Sequence, residues 1–180
     1  MVRHKLDSNL VGKRVEDWKK AIATSAKFLI IVLGPGKSGE GYKKRVQIRD
    51  SLKLAFPNCQ VVFPEDKAVV PLVKSAVGSS TVDQEQLLFS IADIILALHV
   101  SPGVSAELTM ITRDASLSSR TVAFNHIKHR KSKSFLIDVM TSLPERNVKW
   151  FSDTEYKSCS LATKRVHEIV RAFVIRPSTH

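Results

Sequence analysis

Between Asp93 and His99 the chain reads Asp-Ile-Ile-Leu-Ala-Leu-His, an apolar run without alternation. It breaks at Ser101-Pro102-Gly103 and resumes at helical spacing. Unbroken runs of this length suit strands covered on both faces, and such strands belong to parallel sheets flanked by helices. Four further runs read as strands: Phe28–Leu33, Gln60–Phe63, Thr121–Asn125 and Val148–Phe151. Helical patterns separate them. In Tyr42–Phe56 the positions Ile48, Leu52, Ala55 and Phe56 share a face, and Pro57-Asn58 stops the helix. Residues 82–92 are expected to bury Leu87, Leu88 and Ile91, and further helices are expected over Ser105–Arg113, Ser134–Leu143 and Leu161–Val174. Strands alternating with helices make right-handed βαβ units. The expected fold is therefore α/β, a flavodoxin- or Rossmann-like three-layer sandwich with a five-stranded, mainly parallel sheet. Residues 1–26 read as an N-terminal helical extension with Trp18 and Ile22 as its apolar contacts, and residues 27–180 as one domain. Residues 75–81 read as a mobile surface loop.

Charge narrows the choice of partner. The sequence holds 28 Lys and Arg against 17 Asp and Glu, a net charge of +11, and a balance this basic favours an anionic partner, nucleic acid being the commonest. The excess is spread over Lys13-Arg14 with Lys19-Lys20, Lys43-Lys44-Arg45, the stretch from Lys128 to Lys133, and Lys164-Arg165. Lys128, Arg130, Lys131 and Lys133 are candidate nucleic-acid contacts. No base-reading motif accompanies them, so solvated helix faces are the competing explanation. No apolar stretch approaches the roughly 20 residues that span a bilayer, and the first residues lack the apolar core of a signal peptide. Two cysteines, Cys59 and Cys159, do not make a disulfide framework. A cytoplasmic protein without membrane association is expected.

The residues suited to chemistry lie after the strands. In an open α/β sheet ligands bind beyond the carboxyl ends of the strands. Gly34, Gly36 and Gly39 have the spacing of a dinucleotide loop, but no acidic residue follows at the usual distance and the P-loop spacing fails. Either the loop, with Gly34, Pro35 and Gly36, approaches a phosphate or ribose, or it is only a turn. Pro64-Glu65-Asp66 closes the second strand, where Glu65 and Asp66 are ribose contacts or solvated charges. Glu85 is assigned to the outer surface of its helix. Glu107 is expected in the first turn of the helix after Ser101, Pro102 and Gly103, where the helix N-terminus would keep it ionised. It is either a capping glutamate paired with Ser105 or the chain around Gly103, or a carboxylate that attacks or stabilises an anomeric carbon as an N-glycosidic bond breaks. His126 and His129 have no third ligand nearby, and Lys128, Arg130 and Lys131 would repel a cation, so no metal is expected.

Val-Val-Phe-Pro-Glu-Asp at 61–66, the Glu85 helix leading into Ala-Asp-Ile-Ile-Leu at 92–96, and Ser-Pro-Gly-x-x-x-Glu-Leu at 101–108 occur in this order in another group. With the basic stretch 131–135, they resemble the nucleoside 2-deoxyribosyltransferase-like effector toxins of bacterial retrons. Those anti-phage systems also contain a reverse transcriptase and its RNA–DNA hybrid. The likeness runs from about Phe28 to Arg171 and is most specific from Val61 to Leu108. It implies active-site roles for Asp93 and Glu107, with Glu107 the nucleophile of a ribosyl–enzyme intermediate, and a sugar- or phosphate-holding loop at Gly34 to Gly36. Two departures stand out. The family commonly has Gly-Ala after Glu-Leu where Thr109-Met110 stands here, and no additional C-terminal DNA-binding domain is expected. The resulting expectation is an N-glycosidase cleaving NAD or (deoxy)nucleotides. Its substrate contacts would be Gly34, Pro35, Gly36, Glu65, Asp66, Ser101, Pro102 and Gly103. It would need no cofactor besides the substrate, and the reverse transcriptase with its hybrid would restrain it, with a homo-oligomer also allowed. Two other classes compete: a non-catalytic nucleotide-sensing module and a basic nucleic-acid-binding subunit of a defence complex.

Overall fold

Apolar side chains placed at every position of a strand must be covered from both sides, and the runs at 29–33, 94–98 and 121–126 find that cover, those at 60–62 and 148–151 only in part. The computed structural model of the chain describes residues 28–37, 39, 41–71, 74, 80–98, 102–157 and 159–175. The elements follow as β1 Leu29–Leu33, α1 Tyr42–Ala55, β2 Gln60–Val62, α2 Thr81–Ile91, β3 Ile94–Leu98 and α3 Pro102–Thr112. They continue as α4 Ala115–Ser119, β4 Thr121–His126, α5 Phe135–Thr141, β5 Val148–Phe151, α6 Asp153–Lys157 and α7 Cys159–Ile175. The strands lie in the order β2-β1-β3-β4-β5, and every neighbouring pair is parallel. That is the flavodoxin-like order. Among the described residues, no helix is long and apolar enough to cross a membrane.

The period of two along each strand divides the core into two layers. Ile30 and Val32 of β1 join Ile94, Leu96, Val122 and Phe124 against Ile48 and Leu52 of α1 and Val166 and Val170 of α7. Ile31 and Leu33 point the other way, with Ile95, Ala97 and Ala123, onto Leu88 and Phe89 of α2, Val104, Leu108 and Ile111 of α3, and Met140 of α5. Each fully buried aliphatic side chain stabilises the fold by about 1.5–3 kcal/mol, so both faces of the sheet are held. Because β2 flanks β1 on one side and β3 on the other, the connections leaving β1 and β3 diverge. The diverging loops open a crevice at the carboxyl ends of these strands. Gly41 turns the chain into α1 with φ of 87°, a left-handed conformation that glycine adopts without a Cβ clash.

Some expectations need correction. α3 begins at Pro102, so Glu107 is its sixth residue and the first turn holds no acid. The N-terminal partial charge falls off within one turn, so it cannot be what sets the state of Glu107. Phe89 rather than Ile91 completes the inner face of α2, and Ile91 is 55% exposed. A short helix, α4, was not foreseen; Asp114 starts it by accepting from the amides of Ser116 and Leu117. Ser80 caps α2 through the amide of Asp83, so Thr81 belongs to a helix and not to a loop. The expected helical extension at 1–26, the loop at 75–79, His99 and Ser101 lie outside the described residues.

Candidate active site

The crevice is built from helices that carry charged residues where apolar ones would be expected. Arg45 follows the turn into α1, one helical step before Ile48, and is only 2% exposed. Its guanidinium Nε and Nη2 donate to the carbonyl of Val32 at 3.0 and 2.8 Å, and Nη1 donates to the carbonyl of Pro35 at 3.3 Å. Nη1 and Nη2 also grip the two carboxylate oxygens of Glu65 at 2.6 and 2.9 Å. The same group lies 4.0 Å over the ring of Phe63, whose centroid is 4.4 Å from the Arg49 guanidinium. Arg45 thereby ties the end of β1 to the loop after β2. Within the expected surface run Lys43-Lys44-Arg45, both Lys44 and Arg45 are buried.

Beside Glu65 opens a cleft of about 250 Å³ lined by Pro64, Glu65, Val70, Thr81, Gln84, Glu85, Leu88 and Glu107. Glu107 reaches it from α3, where it shares the inner stripe of Val104, Leu108 and Ile111. Its Oε2 is buried and has no hydrogen-bond partner among the described residues. Burial, chiefly, pushes the Glu107 carboxyl from the ordinary 4.5 up to about 7; Glu85 and Glu65 add to the rise and Arg45 opposes it. Burial also raises Glu85. Three carboxylates meet in the cleft, and none of the described residues lining it is cationic. A ligand bearing positive charge or several hydroxyls suits such a lining.

The other residues expected at a site are more scattered. Glu65 lies in the cleft wall, but Asp66 is turned to its own loop, accepting from the Phe63 amide at 2.9 Å with Arg49 at 3.8 Å. Gly34, Pro35 and Gly36 do not line the cleft: Pro35 is buried, and Gly36 accepts from the Gly39 amide at 2.8 Å. A Cβ at Gly34 would stand 2.8 Å from Cδ of Arg45, so this glycine makes room for the arginine. Gly103 sits exposed in the first turn of α3. Asp93 is not brought to Glu107. It precedes β3 at the amino end of the sheet, where its carboxylate accepts from the Leu29 amide at 2.8 Å. The whole of β3, about 16 Å at strand spacing, separates its level from the carboxyl edge. Glu85, assigned to the surface by sequence, lines the cleft instead.

Lys128, Arg130, Lys131 and Lys133 are exposed on the turn and loop after β4, at the same edge of the sheet but beyond β3. Arg130 shares a cavity of about 380 Å³ with Trp150 of β5, an aromatic face beside the basic loop. His126 is not free to bind a cation: Nδ1 accepts from the Lys128 amide and Nε2 pairs with Asp153 at 2.7 Å. Among the described residues, no group of three His, Cys, Asp or Glu is placed to hold a metal.

No curated protein matches the chain. The family model for the STM3845 retron effector protein matches residues 42–175, from the first residue of α1 to the last of α7. With four of its five strands, the residues lining its cleft and most of its length inside that match, the chain belongs to the STM3845 retron effector protein family.

Proposed function

We propose that this retron effector is an N-glycosidase, similar to nucleoside deoxyribosyltransferases, that cleaves NAD or a (deoxy)nucleotide. The observation carrying the reading is Glu107: a buried carboxyl with an unbonded oxygen, facing a cleft at the carboxyl edge of the sheet. With its ionisation centred at about 7, a substantial fraction of molecules holds the carboxylate at neutral pH. In the proposed step the carboxylate attacks the anomeric carbon, the C–N bond breaks and its electron pair leaves with the base. Nicotinamide leaves as a neutral molecule. A neutral nucleobase needs a proton, and Glu85, also raised by burial, is the group in the cleft that can supply it. Water or an acceptor base then displaces the sugar from Glu107.

The lining supports a preference. A cleft bordered by three carboxylates disfavours a phosphate and favours the cationic nicotinamide riboside half of NAD. Binding a cation there also shifts Glu107 toward its ionised form. At about 250 Å³ the cleft is smaller than the roughly 300–1,000 Å³ of most ligand sites, so it suits a nucleoside-sized moiety. Restraint by a reverse transcriptase with its RNA–DNA hybrid is proposed through Lys128, Arg130, Lys131 and Lys133, with Trp150 as a surface for stacking.

The test is to incubate the full chain with NAD and with deoxynucleotides and to separate free base chromatographically. Wild type is expected to release base, and Glu107→Gln to be slower by at least about hundredfold. Unchanged substrates with wild type, or equal rates in the variant, would overturn the assignment.

A further inference from the structure

All five N–H donors of the Arg45 guanidinium are committed: one on Nε and two on each terminal nitrogen, against five acceptor contacts. Nothing is left with which Arg45 could take a substrate phosphate. Its partner is different. The Glu65 side chain is 47% exposed and borders the cleft. A carboxylate offers about four acceptor positions, and the arginine takes one on each oxygen. Those remaining are held in a fixed orientation, because the fork-to-fork pair lets neither group rotate. Phe63 below the guanidinium and the Val32 and Pro35 carbonyls beside it close off other positions for Arg45.

We propose that Arg45 is the positioning residue of this cleft, holding Glu65 so that its free lone pairs accept the 2′- and 3′-hydroxyls of a ribose. Gly34 belongs to the same device, since a Cβ there would meet both Cδ of Arg45 at 2.8 Å and Cγ at 3.3 Å. The proposal deepens the N-glycosidase reading and rests on it for the identity of the ligand, but it concerns binding and not bond cleavage. It gives the Gly34–Gly36 loop a role other than cradling a phosphate. It also makes Glu65 the group that distinguishes ribose from deoxyribose: a ligand without its 2′-hydroxyl leaves one oriented acceptor unused.

The experiment separates binding from chemistry. In the full-length Glu107→Gln protein, whose base release is expected to be at least about hundredfold slower, the affinity for NAD is measured by calorimetry, and adenosine and 2′-deoxyadenosine serve as a matched pair without a phosphate. Adding Arg45→Lys, which keeps the charge but loses the fork, is expected to weaken NAD about tenfold, and Glu65→Gln about equally. The combination of both is expected to be no weaker than either one, because both act through one contact. The ribo-over-deoxyribo preference shrinks in each. A purely structural loss would lower the bound fraction without changing affinity or that preference. If Arg45→Lys does not fold, Gly34→Ala presses on the same side chain and is expected to give the same tenfold loss. Unchanged affinity in Glu65→Gln, additive losses, an unaltered preference, or no NAD binding at all would overturn the proposal. Base release by the chain with Glu107 intact scores the glycosidase reading separately: NAD bound through Glu65 but never cleaved sinks that reading alone.

Discussion

Replacing Glu107 by glutamine should stabilise the protein while abolishing its activity, and the stabilisation should depend on pH. The carboxyl has an ordinary value of 4.5 in the unfolded chain and about 7 in the fold. The folded state therefore holds the proton more tightly. The stability this contributes is fully present below pH 4.5 and is lost as pH rises to about 7, beyond which the ionised group carries a constant penalty. The gap of about 2.5 pH units, at about 1.4 kcal/mol each, comes to about 3 kcal/mol. Glutamine is never ionised and escapes this penalty, but its amide meets the same lack of partners at Oε2, so about 3 kcal/mol is the upper bound of the gain. Urea unfolding of both proteins at pH 5, 6, 7 and 8 measures the difference directly. It should be near its minimum at pH 5, grow through pH 6 and 7, and level off by pH 8. Parallel stability curves across that range would refute the reasoning, because a glutamate that titrates alike in both states is not buried in the cleft. Stabilisation together with lost base release is the signature of a group kept for function at a cost in stability.

Three other outcomes are expected. Asp93→Ala should lower stability by about 1–2 kcal/mol through loss of the Leu29 contact while each folded molecule releases base at the wild-type rate; a selective fall in kcat would restore the active-site role implied by the resemblance. His167 bonds Ser51 at 2.9 Å, and burial, with Arg171, holds its imidazole below the ordinary 6.5; the stability it contributes is present above pH 6.5 and lost as pH falls through the lowered value. His167→Gln should therefore flatten the acid side of a plot of urea midpoint against pH, and an unaltered acid side would count against it. Replacing Lys128, Arg130, Lys131 and Lys133 together by alanine should reduce the slope of log affinity against log salt for an RNA–DNA hybrid by about 3–4, near 0.9 for each lost phosphate contact; an unchanged slope would move the contact elsewhere.

The strands were legible because their signal is local. A run such as Leu-Ile-Ile-Val-Leu at 29–33 states its own burial, and the observed ends fall within a residue of those expected wherever the residues are described. Topology followed from alternation, since parallel strands need crossovers and crossovers have one hand. The site was less legible, because its parts meet across long separations: Arg45 bonds Glu65 twenty residues away, and Glu85 faces Glu107 from another helix. Asp93 illustrates the opposite error. Its place at the head of β3 is correct, but the head of a parallel strand lies at the wrong end of the sheet for a crevice formed at the carboxyl ends.

A signal for the site was nonetheless present. Arg45 stands three residues before Ile48 and seven before Leu52; Glu85 stands three before Leu88, four before Phe89 and seven before Ala92; Glu107 falls between Val104 and Ile111, beside Leu108. All five of the apolar partners just named from α1, α2 and the residue after α2, and the three from α3, are buried. In each case a charged residue occupies a position of the inward stripe of a helix, where an apolar side chain would be the stabilising choice. Assigning Ile91 instead of Phe89 to the inner face of α2 rotated that stripe and put Glu85 on the outside. Three such positions on three helices, all near the carboxyl edge of one sheet, converge because the crossovers place the starts of α1 and α3 beside the switch point and α2 against α3. A charge on an apolar stripe must find a partner or a ligand. Arg45 finds Glu65, and Glu107 is left with an oxygen that the described protein does not satisfy. The unfilled acceptor, more than the glycine loop, is therefore the feature that marks where a substrate belongs.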